Sequence, residues 1–170
     1  MQEQEIRMAG KEGAVLLPES VCNGTALRKA TRRVSQLYDS ILAPCGLLST
    51  QRSILNHIAR AGTPTMGDLA AALVLDRSAL AHNLKPLERD GFVAVVVDPA
   101  DKRSRLIKLT ALGTAKLEES LQLWQNAQHR FEATFGPEQA GELRRSLALI
   151  ASAGFGKAFQ EAGDNGAAEC

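Results

Sequence analysis

The chain has 170 residues, 45% of them hydrophobic and only 4% aromatic, with a formal net charge of +1. That length suits one domain, or one domain with a dimerisation extension, and its core must be filled by Leu, Ala, Val and Ile. The charge balance excludes a strongly basic coating protein but not a nucleic-acid reader, for which the placement of charge matters more than its sum.

Residues 1–18 begin polar and Gly-containing and read as a flexible N-terminal arm. Pro18-Glu19-Ser20 starts a helix, and Leu27, Ala30, Val34, Leu37 and Ile41 recur along it at steps of three and four until Pro44 ends it. Ser49 is the expected N-cap of a second helix that stops at Gly62. Thr65 caps a short third helix, and Asp76 caps a fourth that closes at Gly91. FVAVVV and RLIKLT are β-branched and strand-like, joined by an exposed tip from Asp98 to Ser104. Thr110 caps a long helix through about Phe135, with Leu117, Leu121, Trp124 and Phe131 on one stripe. Gly136-Pro137 breaks it, a last helix carries Leu143, Leu147 and Ile150, and from Gly154 onward the tail is expected to fray.

The fold class that follows is mainly α with a small β-hairpin wing: a winged helix-turn-helix core over residues 47–111, flanked by dimerisation helices at 19–46 and 112–155, with a flexible tail at 156–170. One chain's small core cannot cover all the terminal stripes, so a two-fold dimer is the natural reading. On a helical wheel of Arg77 to Arg89, Leu80, Leu84 and Leu87 point inward. Ser78, His82, Lys85 and Arg89 line the opposite face, with Ala79 and Ala81 small enough to allow close approach to a groove floor. With Arg77 at the start of the helix and Lys102, Arg103 and Arg105 in the hairpin, these are the candidate contacts to double-stranded DNA. Asp98 and Asp101 are expected to shape the wing by hydrogen bonds that hold its arginines. Pro86 removes one helical hydrogen bond and is expected to bend the last turn. An ordinary solvated helix face and an inert charged turn are the competing readings.

The combination of Leu69-Ala70, Leu87-Glu88-Arg89-Asp90-Gly91, Asp98-Pro99-Ala100-Asp101-Lys102-Arg103 and Leu109-Thr110, with Gly113 just after, closely resembles the MarR family of bacterial transcriptional regulators. The resemblance extends over roughly Val21 to Ile150. Two positions depart from it. Val74 stands where the turn before the reading helix often has Gly; a left-handed backbone is costly for Val, which points to an altered turn. Val95 stands where an Arg often follows the reading helix, which leaves one phosphate or wing contact without its residue.

The resemblance implies a homodimer on a pseudo-palindromic operator, usually a repressor, with half-sites about one helical turn apart. It also implies release by a small-molecule effector or an oxidant. The implied pocket lies between dimerisation helices and winged core, where Arg28, Tyr38, His57 and Trp124 are conceivable lining groups; core packing or plain exposure is the competing reading for each. Some members of the family sense oxidants through a cysteine in the first helix, and Cys22 sits near that helix start, where the N-terminus and the basic residues from Arg28 onward favour a thiolate. Cys45 is a conceivable resolving thiol. The competing reading is that both are small buried hydrophobes.

The cysteines Cys22, Cys45 and Cys170 form no disulfide framework, and neither they nor the three histidines have metal-ligand spacing. No phosphate loop, dinucleotide fingerprint or nucleophile elbow is present, so no cofactor, no metal and no enzymatic activity are expected. No apolar run spans a bilayer and the charged N-terminus is no secretory signal, so a cytoplasmic location without membrane contact is expected. The rival reading is a winged-helix protein-interaction module without specific DNA binding.

Overall fold

The computed structural model describes residues 22–166. Two compact units divide the chain, residues 1–34 and 35–170. The arm expected at 1–18 and the helix start at Pro18-Glu19-Ser20 lie outside the described residues. Helix α1 covers Asn23–Leu42. A 3-10 turn, Ala43–Cys45, contains Pro44, and Gly46 follows it at φ +71°.

In the second unit, helices α2 (Ser49–Ala61), α3 (Met66–Ala72) and α4 (Arg77–Arg89) precede strands β1 (Val93–Val97) and β2 (Arg105–Leu109). The strands pair antiparallel from Val93↔Leu109 to Val97↔Arg105. The amide of Ile107 donates to Pro64 O at 2.9 Å, so the hairpin is tied to the loop before α3. Leu80, Leu84 and Leu87, the predicted inner face of α4, are buried with Ile54, Leu55, Ile58, Leu69, Val93 and Ile107 in one core cluster. Burying such a side chain contributes about 1.5–3 kcal/mol.

The caps follow from local chemistry. Thr65 Oγ1 accepts from the Asp68 amide, Asp76 Oδ1 from the Ala79 amide, and Thr110 Oγ1 from the Gly113 amide. Ser49 is different. It is the first helical residue, Leu48 is the N-cap, and the Ser49 amide donates to Asp39 Oδ1 of α1 at 2.6 Å. A carboxylate from another helix replaces the hydroxyl cap. Pro86 stays inside α4, which runs on to Arg89 because Leu84 and Leu87 on either side of it are held in the core.

The predicted long helix after the hairpin is two helices, α5 (Ala111–Glu119) and α6 (Leu121–Phe135), meeting at the fully buried Ser120. Gly113 permits α5 to start where it does: a Cβ there would lie 1.9 Å from Phe92 O. Gly136, at φ +94°, separates α6 from α7 (Pro137–Ile150). The tail expected to fray is instead helix α8, Ala153–Gly166. Ser152 Oγ accepts from the Phe155 amide at its start, and Phe155 stacks with Phe159 one turn on. These contacts offset the helix-weakening glycines. No helix among the described residues is long and apolar enough to cross a membrane.

Candidate nucleic-acid interface

The interface is built on α4 and the hairpin tip. Arg77, Ser78, His82, Lys85 and Arg89 are all exposed, opposite the buried leucines. His82, Lys85 and Arg89 share one concavity of about 420 Å³ with Leu48 and with Gln51 and Ile54 of α2. Two of the candidates have partners within the chain. The Ser78 hydroxyl donates to Asp76 Oδ1 at 2.7 Å. Arg89 forms a two-pronged pair with Asp90, at 2.8 and 3.2 Å. That pair raises the Arg89 pKa and lowers the Asp90 pKa, each mainly through the shared hydrogen bond. The amide of Ala79 and the Ser78 hydroxyl likewise hold the Asp76 carboxyl below its ordinary value.

At the hairpin tip, Lys102, Arg103 and Arg105 are exposed. Asp98 and Asp101 do not hold guanidinium groups. Asp98 Oδ1 accepts from the Ala100 amide at 2.8 Å and Asp101 Oδ1 from the Arg103 amide at 2.9 Å. Side chains this short reach their own turn's amides sooner than a guanidinium. Arg105 Nη1 donates to the carbonyls of Lys102 and Ser104, which folds it along the loop, and Lys102 and Arg103 have no side-chain partner among the described residues.

The turn that aims α4 contains Val74 at φ +54°, the only positive-φ residue other than glycine among the described residues. The left-handed turn is thus kept despite the substitution, at a cost of about 1–2 kcal/mol. Val95 lies in β1 opposite Ile107 and packs against the core, and it presents no charge to the wing.

The groups named for an effector pocket are dispersed. Tyr38 and Trp124 line one cavity of about 150 Å³, together with Leu42, Ser49, Arg52, Ser53 and Asn56. His57 is not among its lining residues; its Nδ1 is bonded to Ser53 O at 2.8 Å. Arg28 is exposed and belongs to the first unit. The Tyr38 hydroxyl donates to Gln128 Oε1, and burial raises its pKa. Sequence reading missed Arg52. Its Nε donates to Ser120 Oγ at 3.0 Å, its guanidinium carbon stands 4.6 Å from the Trp124 ring centroid, and burial lowers its pKa. The signal was present: Arg52 stands among Ile54, Leu55 and Ile58, the apolar residues that α2 buries.

The two thiols differ. Cys22 is exposed, and its sulfur accepts from Thr25 Oγ1 at 3.2 Å and the Thr25 amide at 3.4 Å. These bonds lower its pKa, with Arg28 the smallest contributor. Cys45 is buried and donates to Leu42 O at 3.0 Å.

The wing and α4 coincide with a recognised sequence unit: a model of the MarR family matches residues 46–104. The multiple antibiotic resistance protein MarR of Salmonella typhimurium is 30% identical over 109 residues, 64% of this chain and 76% of that protein. The chain belongs to the MarR family. Its relatives include the transcriptional activatory protein BadR of Rhodopseudomonas palustris, 41% identical over 71 residues; the match spans 40% of this chain and only 41% of BadR. Among solved structures, the M. tuberculosis transcriptional regulator MosR in complex with DNA superposes with a TM-score of 0.72 at 36% identity, covering 79% of this chain and 97% of that one. MarR-family membership makes the fold a winged-helix regulator fold, with α3 and α4 as the helix-turn-helix and β1–β2 as the wing.

Proposed function

We propose that this protein is a cytoplasmic transcriptional repressor that binds a pseudo-palindromic operator as a homodimer. The observation that carries the reading is the pairing of an exposed polar row on α4 with a basic wing tip on a single rigid core. In this reading α4 enters the major groove, with Arg77, His82, Lys85 and Arg89 toward bases and phosphates. Ser78 contributes after leaving Asp76. Arg103 and Lys102 reach the neighbouring minor groove or backbone, and Arg105 braces the loop as well as adding charge. The Asp98 and Asp101 turns fix the wing's shape. Residues 47–111 form the reading head, and the dimerisation segments at 19–46 and 112–155 hold two heads at operator spacing.

Exposed apolar side chains support the dimer: Leu27 and Leu37 on α1, and Leu121, Phe135, Leu147 and Leu149 on α6 and α7. Large apolar side chains left in water on several helices mark candidate interaction faces. Release follows when a small molecule, or oxidation of Cys22, changes the separation of the reading heads.

Fluorescence anisotropy with duplex DNA from the protein's own upstream region, across a salt series, tests the reading. Tight, sequence-selective and salt-dependent binding is expected. Arg103→Ala should weaken it and lower the salt slope by about one unit. An unchanged slope removes Arg103 from the contacts. If random-duplex selection also yields no preferred site, the protein-interaction reading replaces this one.

A further inference from the structure

Glycine inside a helix needs a reason, since it weakens the helix relative to alanine. Gly67 is the second residue of α3, a helix of only seven residues. Its backbone does not require glycine, because it is absent from the residues at positive φ. The space beside it does. A Cβ at residue 67 would stand 3.3 Å from Arg77 Nη2, 3.7 Å from Thr65 Oγ1 and 4.0 Å from Arg77 Cζ. These are the nearest atoms outside the adjoining residues and the backbone of α3. The guanidinium of the first residue of α4 thus lies across the bare surface of α3.

Local chemistry gives Arg77 no reason to be there. A cation at the first residue of a helix opposes the macrodipole. The neighbouring carboxylates are engaged elsewhere: Asp76 Oδ1 accepts from the Ser78 hydroxyl and the Ala79 amide, and Asp68 Oδ2 accepts from the Thr65 hydroxyl. Among the described residues Arg77 has neither a hydrogen bond nor an ion pair. At 3.6 residues per turn, it stands roughly 100° round α4 from the row of Ser78, His82, Lys85 and Arg89. That places it off the row that faces base edges and on the side toward α3. A guanidinium in that position suits a phosphate of the flanking DNA backbone.

We propose that Gly67 is a positioning residue for DNA binding, leaving room for Arg77 to lie across α3 and meet a backbone phosphate of the duplex. The inference deepens the DNA-binding reading and rests on it. A guanidinium presents paired donors that match phosphate oxygens, so the direction in which it is held decides whether the contact forms. A side chain at residue 67 occupies the same place and turns the guanidinium away. Alanine crowds it by a few tenths of an ångström, and leucine fills the place outright.

The test is anisotropy of the full-length protein with the upstream duplex and with a random-sequence duplex of equal length, across a salt series. Gly67→Leu should weaken binding to both by the same factor, about tenfold, and lower the salt slope by about one unit. Gly67→Ala should act in the same direction and less. Both substitutes favour a helix more than glycine does, so the melting temperature should hold or rise while affinity falls. In an Arg77→Ala protein, already weakened to the same extent, Gly67→Leu should cost nothing further. The proposal is overturned by wild-type affinity and slope in Gly67→Leu, or by a loss that persists in the Arg77→Ala background. A loss confined to the upstream duplex also overturns it, and would put Arg77 on base edges. If Gly67→Leu melts below the wild type, Gly67→Ala and its Arg77→Ala double variant decide by the same criteria. Without DNA, the Arg77 Nε–Hε NMR signal should shift in Gly67→Ala while that of Arg103, in the wing, stays; no shift overturns the contact. A wild-type protein that shows the shift and binds no duplex sinks the DNA-binding reading and the role of the pair with it. Duplex binding that ignores residue 67 sinks this proposal alone.

Discussion

Cys22 carries a sulfur that accepts two hydrogen bonds from Thr25, one from the hydroxyl and one from the amide. Both favour the thiolate, so its folded-state pKa lies below the ordinary 9.0. A depressed pKa means that the reactive anion is present at lower pH than in a free thiol. The inflection in the rate of Cys22 alkylation by iodoacetamide, followed by peptide mass spectrometry, should therefore fall below that of free cysteine. Thr25→Val, which keeps the shape and removes the hydroxyl, should move it upward. Cys45, buried and donating to Leu42 O, should label only slowly. If Cys22 is also the trigger, Cys22→Ser will hold its operator in peroxide; release by the mutant at the wild-type peroxide dose removes Cys22 from the mechanism. At the same scale, Arg89 commits Nε and Nη2 to Asp90, so the full guanidinium fork reaches the proposed DNA contact only if it leaves that carboxylate. Both groups are exposed, so the exchange costs little and makes Arg89 a weaker contributor than an unpaired arginine.

Elements were legible where one helix supplied both partners. Leu80, Leu84 and Leu87 share a face by spacing alone, and Thr65, Asp76 and Thr110 each cap an amide three residues on. Reading failed where the partner came from elsewhere. The first amide of α2 is met by Asp39 of α1, and Ser120 at the α5/α6 joint is met by Arg52 of α2. Val74 shows a third case, in which tertiary contacts override a local preference. Leu75 and Leu73 on either side pack against the core, and that pins the turn while Val74 itself stays 67% exposed. Val74→Gly removes the Cβ clash and loses almost no packing. It should stabilise the protein by about 1 kcal/mol after the added chain entropy, a rise of about 2–4 °C in melting temperature. Lower stability on thermal melting would mean that the exposed Val side chain is covered in the native assembly.

Among the described residues, large apolar side chains stand exposed on α1, α6, α7 and α8. On α8 every described side chain is exposed, with Phe159 at 73% and Phe155 stacked on it. The charges at 102–105 were legible as a wing because the hairpin that presents them is local. In the proposed dimer, what α8 packs against was not legible, because a two-fold interface is formed by a second copy of the chain and leaves only an amphipathic pattern in the first. In an isologous dimer each substitution counts twice, once per subunit. Phe159→Glu should therefore shift the dimer–monomer equilibrium at least about tenfold toward monomer in sedimentation velocity. Lys157→Gln, on the same helix and already exposed, should not. The monomer should still bind a single half-site weakly, because the reading head between α2 and β2 has its own buried core. It should lose tight binding to the full operator, whose affinity depends on two linked heads. A Phe159→Glu protein that sediments as wild type would place α8 outside the interface and leave α1, α6 and α7 to form it.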